Sequence, residues 1–287
     1  MERGYAKDVL VSTDWVAKHK DDANVVLAEV DENTDLYEDG HVPGAVKLHW
    51  RDDLQDPVER DIIETNAFET LLGTRGIEND TTVILYGDRH NWFAAYAYWY
   101  LKVYGHEDVR ILDGGRQKWI DEGRELTTDL PIVSAARYSA KERDESIRAY
   151  RDYVRGLIGD TTRVLVDVRS PQEYAGEVFA PAGYESEGAS RAGHIPTAKS
   201  IPWAKAVTDS GTFKSADALR ELYAAREVTP EKETVTYCRI GERSAHTWFV
   251  LHELLGYSNV RNYDGSWTEW GNLVDAPIER GPELTTT

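Results

Sequence analysis

Thr234-Val235-Thr236-Tyr237-Cys238-Arg239-Ile240-Gly241-Glu242-Arg243-Ser244 holds the only cysteine of the chain and sets it between two local patterns. Residues 234–237 are β-branched and aromatic, the composition of a short buried strand. From Ser244 onward Trp248, Leu251 and Leu255 recur at helical spacing, and Ser244 suits the helix cap, with a hydrogen bond to the sulfur as the alternative. Cys238 therefore falls at the carboxyl end of a strand. The turn from Cys238 to Arg243 carries one glycine and two arginines, so it can curl tightly, aim N–H groups inward and set positive charge beside the sulfur. Such surroundings lower a thiol pKa, and they make Cys238 a candidate nucleophile. Arg239 and Arg243 are the candidate anion-binding groups. Ile240, Gly241, Glu242 and Ser244 complete the loop. Glu242 can pair with either arginine or face water, and the solvated position is the expected one.

Working outward, the same order of motifs occurs twice. Strand-like runs at 25–31 and 164–169 are each followed by a turn, Gly40-His41-Val42-Pro43-Gly44-Ala45 in one half and Gly193-His194-Ile195-Pro196-Thr197-Ala198 in the other. Tyr86 and Gly105 align with Tyr237 and Gly256 at a constant offset, which also pairs Asp113-Gly114 with Asp264-Gly265 and Trp119 with Trp270. Two homologous domains are the economical reading. Within the first copy a helix at 66–75, a strand at 82–86, a helix with Ala97, Tyr100, Leu101 and Tyr104 on one face, and a strand at 109–112 alternate. That alternation predicts an α/β fold in which each domain is a mainly parallel sheet flanked by helices. The boundaries read as 1–130 and 147–287, with an aperiodic polar linker at 131–146. Gly87 stands where the second copy has Cys238, and Trp92 where it has Arg243, so the chemistry belongs to the second domain. Arg169 closes its strand on the same carboxyl edge, where open α/β sheets bind ligands, and a pair with Asp167 or Glu173 weighs equally with a substrate contact. The extra residues between Tyr174 and Gly193 read as a surface loop, with a rim or lid as the alternative.

Composition narrows the rest. With 33 Lys and Arg against 51 Asp and Glu, the net charge of −18 repels a phosphate backbone, and nucleic acid is not an expected partner. A single cysteine forbids an intramolecular disulfide, a Cys-x-x-Cys pair and a cysteine-rich zinc site. The eight histidines form no metal-binding pattern, and His41 and His194, at equivalent places, read as structural. Neither a signal-like amino terminus nor a membrane-length apolar run is evident, so a cytoplasmic protein is expected.

The loop from Cys238 to Ser244 resembles the active loop of the rhodanese sulfurtransferases, specifically the tandem-domain thiosulfate sulfurtransferases. Tyr37-x-x-x-His41-Val42-Pro43-Gly44-Ala45 and Tyr263-Asp264-Gly265-Ser266-Trp267-Thr268-Glu269-Trp270 resemble the signatures at the two ends of that family. The resemblance implies two rhodanese domains, an active site in the cleft between them, and no cofactor. It implies that the Cys238 thiolate takes the outer sulfur of thiosulfate, releases sulfite and passes the persulfide sulfur to cyanide or a thiol, a protein acceptor remaining open. In that scheme Arg243, Arg239 and Arg169 bind the substrate. The animal thiosulfate enzymes have a lysine where this chain has Ile240, as bacterial members do not. A mercaptopyruvate sulfurtransferase is the alternative, which Arg239 disfavours because those relatives have a small uncharged residue there. Cysteine phosphatases place one residue more between Cys and Arg than the four found here, and a non-catalytic sulfur carrier is the remaining rival.

Overall fold

The computed structural model describes residues 3–181, 183–184 and 188–282. It resolves into two compact units, Asp8–Asp144 with Val207–Phe213, and Met1–Lys7 with Glu145–Ala206 and Lys214–Thr287.

The first unit runs β1 (Leu10–Val11), α1 (Thr13–His19), β2 (Val25–Glu29), α2 (Leu36–Asp39), β3 (Val46–Lys47), α3 (Thr65–Thr74), β4 (Thr82–Tyr86), α4 (Trp92–Val103), β5 (Val109–Leu112) and α5 (Gly115–Asp121). Its five strands are parallel, in the order β1-β5-β4-β2-β3. Every residue of β4 is buried, because helices cover both faces of the sheet and the strand has no solvated side to present. The expected alternation of strands and helices is found. One difference is that β2 stops at Glu29 and leaves Asp31 outside the ladder, where its carboxylate accepts the Asp88 N–H at 2.8 Å. Residues 128–144 carry no helix or strand. They are tied to this unit by Tyr138, which is buried, stacks with His106 and meets Phe68 edge-on.

In the second unit the order is α6 (Arg151–Arg155), β6 (Arg163–Asp167), α7 (Pro171–Ala175), β7 (Lys199–Ser200), α8 (Ala216–Ala224), β8 (Glu233–Tyr237), α9 (Glu242–Trp248), β9 (Val260–Asn262) and α10 (Ser266–Trp270). The four strands are again parallel, ordered β7-β6-β8-β9, which makes β8 an inner strand. Its core gathers Leu165, Val235, Tyr237, Tyr263, Trp267 and Trp270. Residues 3–7 belong here too: Arg3 O accepts the Ala216 N–H, Ala6 N–H donates to Leu254 O, and Lys7 pairs with Glu253 at 2.9 Å. Helix α9 begins two residues before the expected start and passes into a π-helical turn, Phe249–Leu254. Trp248 and Leu251 are wholly buried, yet so is every other residue of α9, so no solvated face exists. Among the described residues no helix is long and apolar enough to cross a membrane.

Candidate active site

Strand β8 delivers Cys238 to the carboxyl edge of the second sheet, and the chain then has to reverse into α9 within a few residues. Gly241 makes that reversal, with φ 105, a conformation that a side chain rarely tolerates. A Cβ at this position would also lie 2.9 Å from Asp264 Cα. Three residues at the start of α10 fix the loop from outside. The Cys238 N–H donates to Ser266 Oγ at 3.0 Å, Cys238 O accepts the Trp267 N–H at 3.0 Å, and Arg239 O accepts the Thr268 N–H and hydroxyl. Asn262, at the end of β9, holds Gly241 O through its amide and accepts from Ser244 Oγ at 2.6 Å.

Around the sulfur, Gly241 N–H donates to Sγ at 3.2 Å, Ser244 Oγ stands at 3.5 Å and Ser266 Oγ at 4.0 Å. The thiol itself donates to Glu242 Oε2 at 3.1 Å. Burial pushes the Cys238 thiol up and the Glu242 carboxylate adds to it, while Arg243 pulls the other way without prevailing. The expected lowering of this thiol is thereby corrected. Two carboxylates enter the site and offset the cations that the loop sequence displays.

Glu242 is 1% exposed, against the expected solvated position. It accepts the thiol and the Ile240 N–H on one oxygen, and its other oxygen faces Arg243 Nε at 3.4 Å and Arg239 Nη2 at 3.5 Å. Burial alone would raise its carboxyl, but the two arginines outweigh that and hold it below the ordinary value. Arg243 forms a two-point pair with Glu173, at 3.0 and 3.1 Å. The Arg239 guanidinium lies 4.0 Å from the centre of the Tyr184 ring, within the 175–192 insertion. Ile240 is buried at the head of the turn. Ser244 is not the cap of α9, since Gly241 holds that position and Ser244 sits inside the first turn. The structure thus brings Cys238, Arg239, Ile240, Gly241, Glu242, Arg243 and Ser244 together.

Arg169 has a different setting. It binds Asp167 through Nε and Nη2, at 3.0 and 2.6 Å, donates to Gly193 O at 2.7 Å and lies 4.4 Å from the Trp267 ring centre. Its charge is balanced beneath the loop by the strand-end aspartate. The first unit solves the same problem by another route: Glu29, in the place of Asp167, pairs with Arg116 at 2.5 Å, and Arg116 occupies the position of Trp267. His41 and His194 each stack on a tyrosine, Tyr37 and Tyr174, and bond its carbonyl through Nδ1. Both act as structural struts.

Glu173 was not expected as a partner of Arg243; the capping-box pattern Ser170-Pro171-Gln172-Glu173 is the signal that would set it at the start of a helix. The structure forms that box on α7, and Arg243 draws the carboxyl down to about 2 against the effect of burial. Nothing in sequence distinguished Asn262 or Tyr184, and Ser266 stood within the Tyr263–Trp270 signature with no role assigned to it.

The equivalent loop of the first unit is closed. A Cβ on Gly87 would lie 2.1 Å from Val30 O, and Asn91, in the place of Glu242, commits its amide to Gly87 N–H and Leu112 O. A cysteine at position 87 therefore has no room without a shift of the Val30 backbone. The profile of the rhodanese-like domain matches residues 12–122 and 151–273. The chain belongs to the rhodanese family. It is 58% identical over 284 residues to "Sulfur carrier protein TtuD" of Thermus thermophilus, covering 98% of this chain and 100% of that protein. It is 57% identical over 277 residues to a Saccharopolyspora erythraea protein named "Putative thiosulfate sulfurtransferase", covering 96% and 98%. Among solved structures, a complex of EanB with ergothioneine superposes with a TM-score of 0.83 at 26% identity, covering 96% of this chain and 71% of that one. In this rhodanese, then, one repeat keeps the cysteine loop open around a thiol and the other has filled it.

Proposed function

We propose that this protein is a thiosulfate sulfurtransferase working through a persulfide on Cys238. The observation that carries the reading is the Cys238 sulfur at the head of a four-residue loop, with the Gly241 N–H aimed at it from 3.2 Å. A loop this small, with one backbone donor already on the sulfur, suits a single added sulfur atom better than a tetrahedral phosphate. The names of close relatives point to the same chemistry.

In the forward step the Cys238 sulfur attacks the outer sulfur of thiosulfate. The new S–S bond forms as the old one breaks, and its electron pair leaves with sulfite. The persulfide then gives its terminal sulfur to cyanide or to a thiol, and the cysteine sulfur is restored. No net oxidation of the protein occurs over the cycle. Arg239 and Arg243 supply the positive charge that meets the sulfonate group of the donor, and the Gly241 N–H supports the persulfide. Arg169 acts at one remove, since its pair with Asp167 orders the edge on which the loop is built.

A sulfur carrier is the second reading, favoured by the name of the Thermus relative. Incubation with thiosulfate followed by intact-mass measurement is expected to show one added sulfur atom, absent from Cys238→Ser and removed by cyanide. Turnover with excess cyanide identifies an enzyme, and one equivalent released without turnover identifies a carrier. Absence of any adduct, together with hydrolysis of p-nitrophenyl phosphate, overturns the sulfur reading in favour of a phosphatase. Parallel assays with mercaptopyruvate decide the donor.

A further inference from the structure

A buried cysteine held as a thiol has to lose its proton before its sulfur can attack. Among the described residues the acceptor on that thiol is Glu242 Oε2 at 3.1 Å, in a carboxylate 1% exposed. Around this pair stand Arg239 and Arg243 from the loop and α9, Glu173 from α7 across Arg243, and Asp264 with its partner Arg148 from the turn that packs on Gly241. Arg239 and Arg243 carry two positive charges, Glu242 and Glu173 two negative ones. Moving the proton from Cys238 to Glu242 exchanges a carboxylate for a thiolate and leaves the charge of the cluster unchanged. Water as the acceptor would instead create an extra charge in a buried site, which is costly. The first unit gives an independent comparison. Where it lacks a thiol, the position of Glu242 holds Asn91, whose amide bonds the Gly87 N–H and Leu112 O of the backbone.

Resting on the sulfurtransferase reading, we propose that Glu242 is the catalytic base for Cys238. It takes the thiol proton as the sulfur attacks the outer sulfur of thiosulfate and returns it when the persulfide sulfur departs. Atoms and electrons balance at each step: the thiol electron pair forms the new S–S bond, sulfite leaves with the pair of the old one, and the proton waits on Glu242. On transfer to cyanide the Cys238 thiolate re-forms and takes that proton back.

The competing role for Glu242 is electrostatic, and the two roles predict opposite signs. If the carboxylate only raises the thiol, Glu242→Gln creates more thiolate at neutral pH and persulfide forms faster. If it is the base, Glu242→Gln slows the single-turnover rate at saturating thiosulfate by about 100-fold or more, while the thiol of the variant titrates lower than in the native protein. The residual rate then rises with pH as the thiol ionises, and Glu242→Asp falls between. The native protein separates the two roles without any variant. Its rate should be flat from mildly acidic through neutral pH, whereas a climb of about tenfold per pH unit along the thiol titration overturns the proposal. Alkylation of Cys238 by iodoacetamide reads the same plateau with no sulfur donor present. A plateau in alkylation without any sulfur uptake would sink the donor reading and leave Glu242 as the base, and a variant as fast as the native protein would do the reverse.

Discussion

Replacing Glu173 by Gln tests whether the two-point pair with Arg243 holds the cysteine loop in place. The variant keeps the shape of the side chain and can still close the capping box with Ser170, but it removes the negative charge beneath Arg243. The carboxyl is drawn from 4.5 to about 2 in the folded protein. At about 1.4 kcal/mol per unit of pKa, that drop corresponds to roughly 3 kcal/mol of folding stability. Removing one partner of a buried pair costs about 3–5 kcal/mol by a separate route, and Arg243 retains Glu242 at 3.4 Å, which favours the lower end. The sign follows from a depressed folded-state pKa: the contribution is complete above pH 4.5 and is lost as pH falls toward 2. We expect Glu173→Gln to lower the opening free energy of α9 amides, read by native-state hydrogen exchange, by about 3 kcal/mol at pH 7 and by less than half of that at pH 3. The urea midpoint should fall with an unchanged slope. A loss below about 1 kcal/mol at pH 7, or an equal loss at both pH values, refutes the buried pair.

Two further outcomes follow from the comparison of the repeats. Gly87→Cys should not create a second sulfur-accepting site: its Cβ meets Val30 O at 2.1 Å, so the first unit is expected to lose about 1–3 kcal/mol in thermal unfolding while the mass of the sulfur adduct shows one atom, not two. Arg169→Met leaves Asp167 buried without its guanidinium, so about 3–5 kcal/mol should be lost from the second unit. A stable Arg169→Met protein with a raised KM for thiosulfate would restore Arg169 to the donor site.

The fold was legible because its signals are local. Residues 234–237 look like a buried strand whatever they pair with, and the constant offset linking Tyr86 with Tyr237 and Trp119 with Trp270 announces the repeat without any knowledge of contacts. The position of Cys238 at the carboxyl end of β8 was legible for the same reason. The electrostatics of its site were not, because one partner of the arginines, Glu173, lies outside the loop and the other, Glu242, reads in sequence as solvated. Glu173 reaches Arg243 from 70 residues away, and Glu242, though within the loop, is buried rather than solvated. Counting charges within the loop therefore predicted a lowered thiol, where the assembled site has a raised one. The start of α9 was misplaced for a backbone reason: a serine is the usual cap, but Gly241 in a left-handed conformation opens the helix earlier and turns Ser244 inward. Arg169 remained ambiguous in sequence since Asp167 two positions away could be its partner or merely its neighbour, and only the side-chain geometry decides.

Each unit draws chain from both halves of the sequence. Val207–Phe213 completes the first unit, where the buried Phe213 donates its N–H to Asp113, and residues 3–7 are fastened to the second. During synthesis the ribosome therefore releases the last piece of the first unit only after Glu145–Ala206 has emerged, and the opening residues must wait for α8 and the turn at Leu254 before they find their places. Strict amino-to-carboxyl completion, one domain after the other, is not open to this chain. Its two repeats are laced together by sequence, so a single cut anywhere between them yields two fragments that are both missing a part.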